Sequence, residues 1–424
     1  MKVKSLALPI ALIILGLGAC GGGAGTPKSD LPPSIGTVSP TAAPYPAIAP
    51  DVPQVVSGGG PVMDAPKVVA ITFPNDPLLA DIETFCATLG DTSYWHDTTA
   101  EYGVGKLVAL PPVRLTEDAP ATTTDGGIQA WLRDKLDGTH PELPAPDGNT
   151  IYALFYPAAT VIDDGGGQTS CQAYGGYHSS TVRLADGTPI SYAVLPRCQQ
   201  AGVKDLETLT VTVSHELIEA VTDPQPLDYP AYLTIDDNHI YWLRQSGGGE
   251  VGDMCQMNLD AEFQPTGFPF YVQRTWSNAA ALDGRDPCVP SAADHPYFNT
   301  TPSPETPPEA IDITQFGAAV TSQGYVIPVG TSKTVELTLY SSDETAGPWT
   351  VQAVDTSARN NRPPTLSFAL DRADGENGTK IHVIITALMP SSSRSGATTF
   401  AIRSMLGSTT HSWLGLVKAT AAQQ

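Results

Sequence analysis

The residues best suited to chemistry lie in the run Ser214-His215-Glu216-Leu217-Ile218-Glu219-Ala220-Val221-Thr222-Asp223-Pro224. His215 and Glu219 are four residues apart. On an α-helix that spacing puts an imidazole nitrogen and a carboxylate oxygen on one face, within reach of a single metal ion. Glu216 lies about 100° round the helix from His215, where its carboxylate can act as general base on a water at that metal. A third ligand has to come from elsewhere, and Gly249-Glu250-Val251-Gly252-Asp253-Met254-Cys255 offers two carboxylates in a glycine-rich segment. Glu250 is favoured, because the glycines let backbone approach a site closely, with Asp253 and Asp223 as alternatives. Zinc accepts imidazole and carboxylate ligands, and three of them leave a fourth position open.

Other residues weigh less. His178 follows Gly175-Gly176-Tyr177 and can line the same cleft, although a hairpin histidine is usually structural. Asp163-Asp164-Gly165 and Asp236-Asp237-Asn238 lack the spacing of a calcium loop and read as turns. No G-x-S-x-G elbow or phosphate-binding glycine loop occurs, which counts against serine-hydrolase and nucleotide chemistry. The plain alternative is a core histidine with Glu216 and Glu219 on a solvated face. Against it, His215, Glu216 and Glu219 beside a further acidic cluster are costly to bury without a partner or a metal.

These side chains need elements to hold them. Asp205–Thr222 reads as the third helix: Asp205 is a cap, Leu206, Leu209, Val213, Leu217, Ala220 and Val221 recur at helical spacing, and Pro224 follows the end. Upstream, residues 67–73 and Thr150–Tyr156 are apolar, β-branched or aromatic strands. Pro77 opens a helical pattern through Ile82, Phe85, Cys86 and Leu89 that stops at Gly90. Asp125 is placed to cap a second helix carrying Ile128, Trp131, Leu132 and Leu136. Residues 177–184 and 190–195 read as a hairpin turning on Asp186-Gly187. Interleaved strands and helices predict an α/β (α+β) domain over residues 67–290. Residues 291–309 are proline-rich and read as a linker. Residues 310–424 hold short alternating strands at 325–328, 334–340, 349–353, 366–370, 381–386, 400–404 and 413–417, as an all-β sandwich requires.

The chain has 424 residues, 44 acidic against 22 basic, and a formal net charge of -22. So acidic a surface repels phosphate, and nucleic acid is not an expected partner. Prolines and glycines number 39 each, which suits turns and linkers and argues against an all-helical protein.

Residues 1–19 carry Lys2 and Lys4, then an apolar run too short to span a bilayer, then Gly18-Ala19 before Cys20. The pattern closely resembles a bacterial lipoprotein signal. That resemblance implies lipidation of Cys20 and membrane anchoring outside the cytoplasm, with Gly21 leaning towards the outer membrane. Residues 20–66 are rich in Gly, Pro, Ser and Thr and read as a flexible tether. Export puts Cys86, Cys171, Cys198, Cys255 and Cys288 in an oxidising compartment, where an odd number leaves at least one unpaired. Local loops favour Cys171 with Cys198 and Cys255 with Cys288, leaving Cys86 on the apolar face of the first helix.

His215-Glu216 with Glu219 and Thr222-Asp223-Pro224, followed by the Glu250 to Cys255 segment and Trp276-Ser277-Asn278-Ala279, resembles exported bacterial proteins with a zincin-like H-E-x-x-E-x-x-T-D-P signature. More distantly it is similar to the plant exordium or phosphate-induced proteins. Glu101-Tyr102-Gly103-Val104-Gly105 and the segment from Cys171 to His178 look like further shared blocks. The resemblance covers residues 67–290 and implies a zincin-like fold there. The helix spacing is that of H-E-x-x-H zinc peptidases with glutamate in place of the second histidine. The expectation is a lipid-anchored extracytoplasmic zinc hydrolase, a peptidase acting on peptide or protein substrates, with Glu216 activating a zinc-bound water and an immunoglobulin-like sandwich behind it. The alternative, from another class, is a non-catalytic surface lipoprotein that uses the same scaffold and sandwich to bind wall glycans or protein.

Overall fold

Two strands that are apolar along their whole length, Lys67–Thr72 and Thr150–Tyr156, lie side by side and parallel in the middle of a mixed sheet. Such runs suit strands covered on both faces. The computed structural model describes residues 43–184, 187–292, 295–315, 318–356, 363–391 and 395–421, which belong to one compact unit. Cys20, its leader, the first part of the proposed tether and Asp186 lie outside the described residues. Among those described, no helix is long and apolar enough to cross a membrane.

The sheet runs Val108–Ala109, Lys67–Thr72, Thr150–Tyr156, Pro189–Pro196, Tyr177–Arg183. Only the last of these, an edge strand, is antiparallel to its neighbour. Side chains alternate between two cores, as the two-residue period of a strand requires. Val68, Ala70, Ile151, Ala153, Phe155, Ala193 and Leu195 meet α1 (Leu79–Leu89) and the later site helix; Val69, Ile71, Tyr152, Leu154 and Val194 meet the opposite helix through Ile128 and Leu132.

Threonine side chains cap two of the helices, and in two helices the N-cap is not the residue that the sequence suggests. Helix α2 (Ser93–Thr99), unforeseen, begins at Thr92, whose Oγ1 accepts from Trp95 N at 3.1 Å, and buries Tyr94 and Trp95. In α3 (Asp125–Lys135) the cap is Thr124, accepting from Gly127 N, rather than Asp125. The Asp125 carboxylate instead accepts from the hydroxyls of Tyr177 and Tyr192, tying α3 to the hairpin. Helix α4 spans Asp205–Thr222, but its N-cap is Lys204 without a side-chain bond, and Asp205 sits in the first turn, where its charge favours the helix dipole.

Both proline-rich segments are more ordered than their composition suggests. Val52, Val55 and Met63 are buried, Val55–Val56 pairs with Thr234–Ile235, and Met63 N donates to Val221 O near the end of α4. Fully burying one such side chain contributes about 1.5–3 kcal/mol, which with the strand pairing helps offset the entropy of ordering the segment. The linker expected at 291–309 contains Phe298–Pro302, a buried strand of the second domain.

That domain is a β-sandwich. One sheet runs Phe298–Pro302, Ser332–Ser341, Lys380–Ala387, Leu366–Leu370; the other runs Glu309–Gln315, Ala318–Pro328, Thr409–Thr420, Thr398–Leu406, Trp349–Asp355, Asp374–Gly375. Phe298, Leu337, Trp349, Ile381, Val383, Ile402, Trp413 and Val417 fill the space between them. It docks on the first domain through Tyr241 Oη to Leu414 O at 2.9 Å and Ser322 Oγ to Asn238 O at 2.7 Å.

Two of the sequence blocks are structural partners. The Glu101 carboxylate accepts from Ser277 Oγ and Asn278 N, both at 2.7 Å, and so holds the start of the short helix Asn278–Leu282. Disulfides join Cys171 to Cys198 and Cys255 to Cys288, and Cys86 is free and buried on α1. Such crosslinks suit a protein that folds outside the cytoplasm.

Candidate metal centre

Along α4, Leu209, Val213, Leu217 and Val221 face the core, so the neighbouring face is left to His215, Glu216 and Glu219. His215 Nε2 stands 3.1 Å from Glu219 Oε2. These two form one side of a cleft of about 460 Å3, whose lining also includes His178, Glu216, Glu250, Asp253 and an apolar rim of Pro226, Leu227 and Leu233.

The glycine-rich segment does approach closely. A Cβ on Gly252 would stand 2.7 Å from Glu219 Oε1 and 2.8 Å from His215 Nδ1, so only glycine leaves room there. One residue on, Asp253 N donates to Glu219 Oε1 at 3.0 Å, which brings the Asp253 carboxylate to 4.0 Å from His215 Nε2. Cys255, pinned to Cys288, ends this turn.

Glu250, the favoured third ligand of His215, faces elsewhere. Its Oε1 is 3.4 Å from His178 Nε2 on the edge strand. The separation has a simple cause: Glu250 precedes the turn that Asp253 begins, so the two carboxylates leave the loop towards different histidines. His178 in turn places Nδ1 3.5 Å from Glu216 Oε2 and 3.8 Å from Glu219 Oε2. Ligand atoms of His215, Glu219 and Asp253 form one tight group, those of His178, Glu219 and Glu250 another, each within 4.8 Å. Asp223 joins neither: it is buried at the end of α4, with Oδ1 accepting from Ala231 N at 2.7 Å.

Gln273 carries no motif and was invisible in the sequence. Its Oε1 lies 3.2 Å from His215 Nδ1, while its Nε2 donates to Gly252 O at 2.9 Å. With Nδ1–H donating to that oxygen, Nε2 of His215 faces Glu219 and Asp253, and in the neutral ring it is Nε2 that has the lone pair a metal needs. The backbone of Gln273 is fixed to α4 by its N–H to Ser214 Oγ at 2.9 Å.

The electrostatics of the cleft reflect too many carboxylates in too little water. Burial pushes Glu219 up, but the His215 charge and hydrogen bond override this and hold it below the usual carboxylate range. Burial and the Glu219 charge push Glu250 well above that range, and push Asp253 up to about 7. Burial opposes charge on His215, yet Glu219, Glu216 and Asp253 together raise it to about 10. His178 is raised as well, its burial outweighed by Glu216 and Glu219.

The donor set fits a divalent cation. His178 Nε2 and Glu250 Oε1 are buried and make no hydrogen bond, and Gly176 and Gly252 supply a cradle that a Cβ would fill. Imidazole and carboxylate donors together suit zinc or a neighbouring first-row metal.

No family model matches the chain, and no curated protein matches it. Among solved structures the chain is similar to domains 4 and 5 of the S-layer protein SbsC, at 15% identity and a TM-score of 0.17, over 35% of this chain and 84% of that one. It is also similar to a chimeric titin Z1Z2, at 13% identity and a TM-score of 0.17, over 31% and 99%. The CupB2 chaperone of Pseudomonas aeruginosa overlaps 24% of this chain and 54% of its own, at 15% identity and a TM-score of 0.18. Overlap this loose carries no weight for the site.

Proposed function

We propose that the protein is an extracytoplasmic, zincin-like zinc hydrolase, carried on a lipid at Cys20 and acting on peptide bonds. The observation that supports this most is the convergence of His215, Glu219 and Asp253 on one point beside Glu216 in an open cleft. Zinc held there would polarise a substrate carbonyl.

The chain's own residues supply the rest. Glu216 takes the proton from the attacking water and passes it to the leaving amine. Its carboxylate is steered by His178 Nδ1 at 3.5 Å. Gln273 holds His215 in the tautomer that a ligand needs. The edge strand Tyr177–Arg183 borders the cleft and can accept an extended peptide as one more strand, which favours a peptide over a compact substrate. Pro226, Leu227 and Leu233 offer an apolar side chain somewhere to lie. With an acidic floor, the cleft disfavours acidic peptides.

The test is cleavage of a peptide library and of denatured protein by the purified full chain, with and without a chelator. Chelator-sensitive cleavage beside apolar residues is expected. A zinc-loaded chain that cleaves nothing would overturn the hydrolase reading.

A further inference from the structure

We infer that the cleft holds a pair of divalent cations that share Glu219: one on His215, Glu219 and Asp253, the other on His178, Glu219 and Glu250. The second site rests on the metal-centre reading above through Glu219, but its other ligands are different residues, His178 on the edge strand and Glu250 earlier in the loop that carries Asp253.

Three observations carry it. The first is the unpartnered imidazole. The His178 side chain is only 5% exposed, and its Nε2 makes no hydrogen bond. Nδ1 is turned towards Glu216, and Nε2 faces Glu250 Oε1 at 3.4 Å, an atom that is also buried without a hydrogen bond. Two buried donor atoms that face each other without a hydrogen bond are a ready pair of ligands once a cation displaces their protons.

The second is geometry. Ligands of a tetrahedral first-row cation, at about 2.0–2.2 Å from the metal, stand a little over 3 Å apart. The Nε2 to Glu250 distance of 3.4 Å meets that, and ligand atoms of His178, Glu219 and Glu250 all lie within 4.8 Å of one another. A carboxylate serving both groups sets two cations about 3.5–4 Å apart, the spacing that clamps the attacking and leaving oxygens of a hydrolysed bond.

The third is charge. Glu216, Glu219, Glu250 and Asp253 all line the cleft, and once ligation has made the imidazoles neutral and ionised the four carboxylates, a single dication leaves half of their charge unbalanced. Two dications balance it. Imidazole with carboxylate oxygen selects zinc or manganese over calcium.

The experiment measures metal per polypeptide. The full chain is stripped with a chelator, reloaded with excess zinc, freed of unbound ion and subjected to elemental analysis, with circular dichroism to verify folding. Wild type should retain two zinc ions, while His178→Ala and Glu250→Gln each keep one, and His215→Ala and Asp253→Asn each keep one. Glu250→Gln is nearly isosteric and reports on the site even if His178→Ala fails to fold. One zinc in wild type, kept by Glu250→Gln and lost by His215→Ala, would overturn the pair and leave the single centre standing. One zinc lost by Glu250→Gln and kept by His215→Ala would overturn both the pair and the assigned first site. No zinc in wild type would overturn both readings.

Discussion

The imidazole of His215 and the amide of Gln273, 58 residues apart in sequence, meet at 3.2 Å between Nδ1 and Oε1. The contact orients the ring whose other nitrogen faces Glu219 and Asp253, and the same amide anchors Gly252. Gln273→Leu keeps the volume and removes both bonds. We expect it to fold and to bind zinc about 10–100-fold more weakly, as loss of a partner behind a metal-bound histidine typically does. Competition with a chromophoric chelator measures this; unchanged affinity would show that Gln273 is only structural.

Gly252→Ala puts a methyl group 2.7 Å from Glu219 Oε1 and 2.8 Å from His215 Nδ1. Those side chains must move apart, at an overpacking cost of about 1–3 kcal/mol. Zinc affinity should fall while the sandwich domain keeps its fold, which tryptophan fluorescence and zinc titration would separate.

Zinc uptake should release protons. In the metal-free cleft His215 is raised to about 10, because Glu219, Glu216 and Asp253 outweigh its burial, so it is protonated at neutral pH. Burial and Glu219 leave Asp253, at about 7, partly protonated as well. A ligand imidazole must be neutral, so affinity rises with pH through this range. Calorimetry in buffers of different ionisation enthalpy reads the released protons directly. The same shifts act on stability. A folded pKa raised above the unfolded value of about 6.5 for histidine gives stability that is present below that pH and lost as pH climbs to the folded value. The metal-free protein should therefore melt at lower temperature as pH goes from 6.5 towards 10. A melting temperature that rises over that interval would contradict the assignment.

Cys86 should be inert while the protein is folded. Burial pushes its thiol up to about 12, so thiolate is scarce at pH 8. Alkylation should follow unfolding rather than precede it, and mass spectrometry of protein labelled under native conditions should find Cys86 unmodified.

Much of this was legible in sequence because local pattern sufficed. The stripe from Leu209 to Val221 marks α4 over Asp205–Thr222, and the i, i+4 pairing of His215 with Glu219 follows from helix geometry. All seven sandwich strands read from alternation lie in the two sheets. What was not legible depends on long-range contact. Thr124 and Thr92 cap helices because of backbone angles that composition does not reveal. Val55 and Met63 are ordered by surfaces supplied far along the chain, and Phe298 by the sandwich core. His178 and Gln273 lie on strands whose neighbours decide where they point. Asp253 rather than Glu250 meets His215, because a turn of backbone at Gly252 separates two carboxylates that in sequence look interchangeable.

The most direct test of the hydrolase reading compares wild type with Glu216→Gln for zinc content and for peptide cleavage in the same preparations. Glu216 borders the cleft but belongs to neither ligand group. We expect zinc content and melting temperature to be unchanged and cleavage to fall by a factor of about 100 to 10,000, as loss of a positioned general base does. Chelator-sensitive cleavage that persists at the wild-type rate in Glu216→Gln would contradict the assigned base.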